Sequence, residues 1–267
     1  MIKHLIFLLI TILISSCHTY TAISSTSLED VANCNCTIID LANPLNNSNA
    51  YRPAPSYTPF TYKSVATLME NGVFSGAYST PEHLGTHIDG PNHFEDNQPS
   101  VDSLSLVTLI GAAFVVDVSD KVQNNADYEF TVDDIIDWEE VNRRIRERSI
   151  TLLNTGWSRR WSDYERYKNV DDSNKLHFSG YSADAADFLV EKRGINGIGI
   201  DTLSADNEMS TDFTLHHIIN GSGKYILENV ANLDKLPPTG ATLIIAPIKI
   251  EGGSGGQARM WAILSRP

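Results

Sequence analysis

Short apolar runs alternate with amphipathic stretches along most of the chain. Residues 37–41 and 150–153 are brief apolar segments, and 112–118 is a β-branched apolar run of the kind a sheet buries. Residues 195–201 and 241–250 read in the same way, residues 225–229 form a short apolar strand with Glu228 near its end, and 259–264 predict one more strand. Between them, 131–146 repeats its apolar positions at helical spacing behind Thr131, a candidate N-cap, and 182–193 does so up to Gly194, a natural stop. Strands alternating with helices predict an α/β or α+β chain with a mixed sheet. With neither a repeat nor a linker to divide it, residues 23–267 are expected to form a single domain.

The pattern breaks at the N-terminus. Lys3 precedes an apolar run at 5–14 and small polar residues follow, which reads as a secretory signal over residues 1 to about 22. The run is too short to span a bilayer comfortably, so no transmembrane span is expected in the mature chain. Ile14-Ser15-Ser16-Cys17 resembles a bacterial lipobox and would place a lipid on Cys17; simple cleavage between Cys17 and Ala22 is the alternative. Either route predicts a secreted or periplasmic protein. In a eukaryote, Asn35, Asn46 and Asn220 would open candidate glycosylation tripeptides. Cys34 and Cys36 stand one residue apart, too close for an unstrained bridge, so an intermolecular disulfide or two free thiols are equally open. A segment at 46–61 interleaves Pro53, Pro55 and Pro59 with Tyr51, Tyr57 and Phe60, which makes it either a surface loop or a lid.

A formal charge of −13 over 267 residues argues against a nucleic-acid partner, which would need clustered Lys and Arg. The one dense basic group, Arg143, Arg144, Arg146 and Arg148, lies among Glu139, Glu140 and Glu147 and reads as a solvated helix face.

Residues 82–94 carry the chemistry. The run E-H-L-G-T-H-I-D-G-P-N-H-F places His83, His87, Asp89 and His93 on alternate positions within eleven residues. A straight strand rising roughly 3.3 Å per residue would hold His83 and His87 about 13 Å apart, too far to share an ion at ~2 Å from each. Gly85, Gly90 and Pro91 allow or impose the bend that closes this gap. A lone histidine would carry no weight; three with an aspartate among glycines and a proline favour a metal site.

The pattern H-x-G-T-H-x-D-x-P-x-H-F is similar to the signature of the cyclase-like metal-dependent hydrolases, the family of bacterial kynurenine formamidase and isatin hydrolase. Two other segments share the resemblance: Asp40-Leu41-Ala42-Asn43-Pro44 and Thr155-Gly156-Trp157. The late cluster around His216 and Glu228 also resembles the family, since its twelve-residue step matches where that of His217 does not. The resemblance implies the swivelling β/α type of mixed-sheet fold and a homodimer or homotetramer. It implies that His83, His87 and Asp89 hold one divalent ion, with Asp89 placed to bridge to a second held by His216 and Glu228. Nitrogen and oxygen ligands without thiolate suit Zn²⁺ or Mn²⁺, as one or two ions. His93 takes the place of the family's proton-transferring histidine. The expected reaction is hydrolysis of a C–N amide bond, first of a small cyclic amide as in isatin, second of an N-formyl aryl amine as in kynurenine formamidase. A secreted metal-containing binding protein without turnover is the reading from another class.

One rival motif needs an answer. Gly252-Gly253-Ser254-Gly255-Gly256 satisfies the G-x-S-x-G pattern of serine hydrolases, but no Asp or His follows Ser254 and the next segment reads as a strand. The similar segment of the cyclase-like family implies instead that the glycines let the backbone pass close to the site. Arg259 is left with two readings, a group that orients substrate or a carboxylate, and a structural ion pair.

Overall fold

The apolar runs assemble into one large sheet. The computed structural model describes residues 31–33, 35–47 and 57–265; the segment expected to be a secretory signal, Cys17, Cys34 and most of the proline-rich 46–61 segment lie outside them. The strands are β1 (Cys36–Asp40), β2 (Thr61–Ala66), β3 (Ser75–Ser79), β4 (His87–Asp89), β5 (Ile110–Asp117), β6 (Glu129–Phe130), β7 (Ile150–Asn154), β8 (Gly180–Tyr181), β9 (Gly197–Ile200), β10 (Tyr225–Glu228), β11 (Ala241–Pro247) and β12 (Gly255–Ser265). The helices are α1 (Leu68–Asn71), α2 (Ser119–Asn124), α3 (Val132–Val141), α4 (Tyr164–Lys168), α5 (Ala183–Phe188) and α6 (Thr214–Gly221).

Among the described residues the main sheet runs β1-β12-β11-β5-β7-β9-β10-β4, and a further β12–β4 pairing closes seven of its strands into a barrel-like ring. The central pairings β5–β7, β7–β9 and β9–β10 are parallel, whereas those of β4, β11 and β12 are antiparallel. This is the mixed α/β sheet expected. Alternate side chains serve two cores, as period-2 strands must. In β5, Ala113 and Val115 join Leu152, Leu227, Leu243 and Met260 inside the ring. Phe114 and Val116 point the other way, to Ile198, Ile200, Trp157 and the buried faces of α5 and α6. In β9, Ile198 and Ile200 face the helices while Gly197 turns inward; a Cβ on Gly197 would stand 2.4 Å from the Tyr225 ring.

Two local expectations need correction. The helix expected over 131–146 starts as foreseen, with Thr131 and Asp134 forming a capping box, but ends at Val141. Beyond it Glu139 accepts the Ile145 N–H at 2.8 Å and binds Arg193 at 2.6–2.7 Å, which turns the chain inward. Arg143, Arg144, Arg146 and Arg148 therefore lie on a loop and do not form a helix face. Asn220, a candidate glycosylation site, is fully buried in α6 and donates to the Lys224 carbonyl. Cys36 is a buried free thiol. Among the described residues no helix is long and apolar enough to cross a membrane.

Candidate metal centre

The ring closes where β4 lies between β10 and β12, and that closure builds the site. Pairing of β4 with β10 sets His87 opposite Glu228, and pairing with β12 sets Asp89 opposite Gly255. After Asp89 the chain bends through Gly90 into a single 3₁₀ turn, Pro91–His93, which returns His93 over the strand. The bend foreseen at Gly90-Pro91 thus brings the ring centroids of His83 and His93 to 3.7 Å.

Asp89 is the hub. Its Oδ1 lies 2.6 Å from His83 Nδ1 and 3.2 Å from His87 Nε2, and its Oδ2 lies 3.6 Å from His216 Nε2. Glu228 adds Oε2 at 3.5 Å from His87 Nε2 and Oε1 at 3.3 Å from His216 Nε2. His87, Asp89, His216 and Glu228 are all buried. Potential ligand atoms within 4.8 Å of one another form two groups sharing Asp89: His83, Asp89 and His93 in one, His87, Asp89 and Glu228 in the other. The expected partition put His87 beside His83; here His87 Nε2 sits on the Glu228 side, and His93 joins His83.

Three of the imidazoles have their outer nitrogen engaged. His87 Nδ1 donates to the Gly85 carbonyl at 2.8 Å, His216 Nδ1 lies 2.5 Å from Asp206 Oδ2, and His83 Nε2 lies 2.8 Å from Ser254 Oγ. Holding one nitrogen fixes the ring and leaves the other free to bind. Asp206 also accepts the N–H groups of Leu215 and His216 at the start of α6, so a single carboxylate caps the helix and orients its histidine.

Electrostatics and unmet hydrogen bonds agree on what this cluster lacks. Burial works against charge on His87, Asp89 and His216. Nonetheless Asp89 and Glu228 push His87 up to about 9, and Asp206, Asp89 and Glu228 raise His216 well above its ordinary value. Those imidazoliums in turn hold Asp89 well below the usual carboxylate range. The carboxylates are collecting positive charge. Among the described residues, His87 Nε2 and Asp89 Oδ2 are buried without any hydrogen-bond partner. Unpartnered buried nitrogen and oxygen facing one another are costly unless a cation takes them, and their chemistry fits a divalent ion.

Beside the cluster opens a cavity of about 240 Å³ walled by Tyr57, Leu84, Phe94, Leu203 and Phe213. Among the described residues of the 46–61 segment, Tyr57 lines this cavity. Phe94 stacks obliquely on His216 at 4.5 Å and meets Phe213 at 5.3 Å. Sequence reasoning assigns no role to Phe94, Phe213, Leu203, Asp206 or Glu82. Glu82 and Phe94 stand at the two ends of the 82–94 run; Phe213, Leu203 and Asp206 carry no spacing signal, because the fold alone places them. His217, passed over on spacing, points outward to Glu95, and Arg259 forms an exposed pair with Asp40 at 2.6 Å, the structural alternative. Thr155 of the T-G-W segment donates to the buried Asp201 through both its N–H and its hydroxyl, and Trp157 is buried in the outer core.

The Cyclase family model matches residues 39–207. This chain belongs to the cyclase family. It is 33% identical over 193 residues to isatin hydrolase of Roseibium aggregatum, covering 69% of this chain and 73% of that protein. It is 31% identical over 222 residues to kynurenine formamidase of Bacillus cereus, covering 83% of this chain and 94% of that one. Isatin hydrolase A from Ralstonia solanacearum has the same fold, with a TM-score of 0.83 at 30% identity over 88% of this chain and 95% of that one. These relatives are hydrolases by name, and so is this member of the family.

Proposed function

We propose that this cyclase-family hydrolase cleaves the C–N amide bond of a small cyclic amide, with isatin-type ring opening as the leading reaction. The observation that carries the reading is Asp89: a buried carboxylate with an unpartnered oxygen, ringed by imidazoles whose outer nitrogens are already engaged. His83, His87, Asp89, His216 and Glu228 would hold one or two divalent ions, Zn²⁺ or Mn²⁺ by donor type. An ion there supplies Lewis acidity, bringing the pKa of water down to roughly 7 and stabilising the developing oxyanion.

The chain's own residues supply the rest. The aromatic and aliphatic walls of the cavity accept a small planar molecule and exclude bulk water. Burial pushes His93 down to about 3, Asp89 opposing and His83, His216 and His87 assisting, so its imidazole is neutral at physiological pH. The His93 imidazole lines the cavity, where it would relay the proton of the attacking water to the leaving nitrogen as the C–N bond breaks.

Arylformamide hydrolysis is the second reading, supported by the similarity to kynurenine formamidase over nearly that protein's full length. The charged n-region and apolar run of residues 1–22 support action outside the cytoplasm, with a lipid on Cys17 as one means of retention there. A homodimer or homotetramer would cover the exposed Tyr62, Phe74 and Tyr78 of the β2–β3 hairpin.

The test is absorbance-followed hydrolysis of isatin and of N-formylkynurenine, with and without added Zn²⁺ or Mn²⁺. Metal-dependent turnover of isatin is expected. Turnover of N-formylkynurenine alone would favour the second reading, and stoichiometric metal without hydrolysis of any amide, lactone or ester would favour a binding protein.

A further inference from the structure

The serine of the G-x-S-x-G run does not act as a nucleophile, yet it touches the site. Ser254 Oγ lies 2.8 Å from His83 Nε2, and His83 Nδ1 lies 2.6 Å from Asp89 Oδ1, which is the connectivity of a Ser-His-Asp triad. Two facts remove that role. The Ser254 hydroxyl donates its single proton to Glu82 Oε2 at 2.6 Å, and the cavity is lined by His83 but not by Ser254.

We infer that Ser254 and Glu82 are positioning residues that select which ring nitrogen His83 offers to the metal; the inference rests on the metal reading above. The argument is one of donors and acceptors. Glu82 Oε2 accepts the hydrogen bond of the Ser254 hydroxyl, which leaves the lone pairs of the serine oxygen for His83. A neutral His83, the form that binds a metal, then donates through Nε2–H and keeps its lone pair on Nδ1, facing Asp89. Without this relay the imidazole is free to protonate Nδ1 against Asp89 and turn a donor toward the metal position.

The backbone is arranged to hold the relay in place. Glu82 Oε2 also accepts the Ser254 N–H at 3.2 Å, and the Ser254 carbonyl accepts the Gly90 N–H at 2.7 Å, which ties the serine to the bend after Asp89. The flanking glycines are demanded by proximity. A Cβ on Gly253 would lie 2.8 Å from Glu82 Oε1, and one on Gly255 would lie 2.5 Å from His83 Cε1. The glycine-rich run lets the strand pass against His83 while only Ser254 presents a side chain to it.

The experiment is Zn²⁺ affinity of the full chain by chelator competition, for wild type and for Ser254→Ala, Ser254→Thr, Glu82→Ala and Glu82→Gln, with thermal unfolding to confirm folding. Ser254→Ala and Glu82→Ala are expected to weaken binding by roughly 10- to 100-fold, the usual effect of losing the partner of a metal-bound histidine. Ser254→Thr, which restores the hydroxyl, and Glu82→Gln, which keeps an acceptor, should recover most of the loss. Wild-type affinity in both alanine variants would overturn the inference, as would equal losses in Ser254→Ala and Ser254→Thr. A wild-type chain that binds no metal would overturn the metal reading itself, and is told apart because it needs no substitution.

Discussion

His93 stacks on His83 with ring centroids 3.7 Å apart and planes 18° from parallel. The contact holds His93 at the edge of the cluster, beside the cavity, and among the described residues no carboxylate is hydrogen-bonded to its ring. That is the placement of a group that moves protons more than of one that grips an ion. His93→Ala should therefore keep its metal and lose roughly 10² to 10⁴-fold in turnover, the usual scale of general acid–base catalysis. Parallel loss of metal, read by elemental analysis, would make His93 a ligand, as its grouping with His83 and Asp89 allows.

Asp206 serves two neighbours at once, the His216 ring and the first turn of α6. Asp206→Ala should weaken metal binding by roughly 10- to 100-fold and also lower the melting temperature, because the helix loses its cap. Chelator competition and thermal unfolding on the same sample separate the effects. Unchanged metal affinity would show that His216 needs no orientation from Asp206.

Gly197 has no room for a side chain. An added Cβ would meet the Tyr225 ring at 2.4 Å and the Tyr225 carbonyl oxygen at 2.7 Å, and the latter is backbone of the neighbouring strand. Gly197→Ala should destabilise the protein by about 1–3 kcal/mol, measured by denaturant unfolding. A variant as stable as wild type would mean that β9 and β10 part easily.

His177 lies far from the motif and titrates by simple rules. Its Nδ1 meets Asp127 at 2.7 Å and its Nε2 meets Asp171 at 3.4 Å, and the Asp127 contact first raises its pKa above 6.5. A histidine raised on folding adds stability that is fully present below pH 6.5 and is lost as pH rises through the folded value. An NMR titration should place its midpoint above 6.5 and Asp127→Asn should lower it; a wild-type midpoint at or below 6.5 would contradict the pairing.

Much of the sheet was legible because its strands are apolar runs bounded by turn residues, and β5, β7, β9 and β11 fall where the pattern puts them. Helix α3 was readable at its start, where Thr131 and Asp134 make a local capping box, but not at its end, where Glu139 captures Ile145 and Arg193 through tertiary contacts. His83, His87 and Asp89 stood out because they crowd one short stretch. His216 and Glu228, well over a hundred residues downstream, were reached only through family resemblance, since nothing local announces that β4 will pair with β10. The spacing around Ser254 suggests a nucleophile, whereas its actual place beside His83 depends on β12 closing against β4, which no local pattern foretells. Asp206 had no signal, because a lone aspartate before a helix is most often only a cap.

The central claim is that Asp89 anchors a divalent metal on which hydrolysis depends. It is tested most directly by the metal content of wild type and Asp89→Ala, each purified and reloaded with Zn²⁺ or Mn²⁺. Wild type should carry one or two ions per chain, and Asp89→Ala, correctly folded, should carry almost none and show no turnover. A fully loaded Asp89→Ala protein, or a wild type that takes up no metal, would contradict the account.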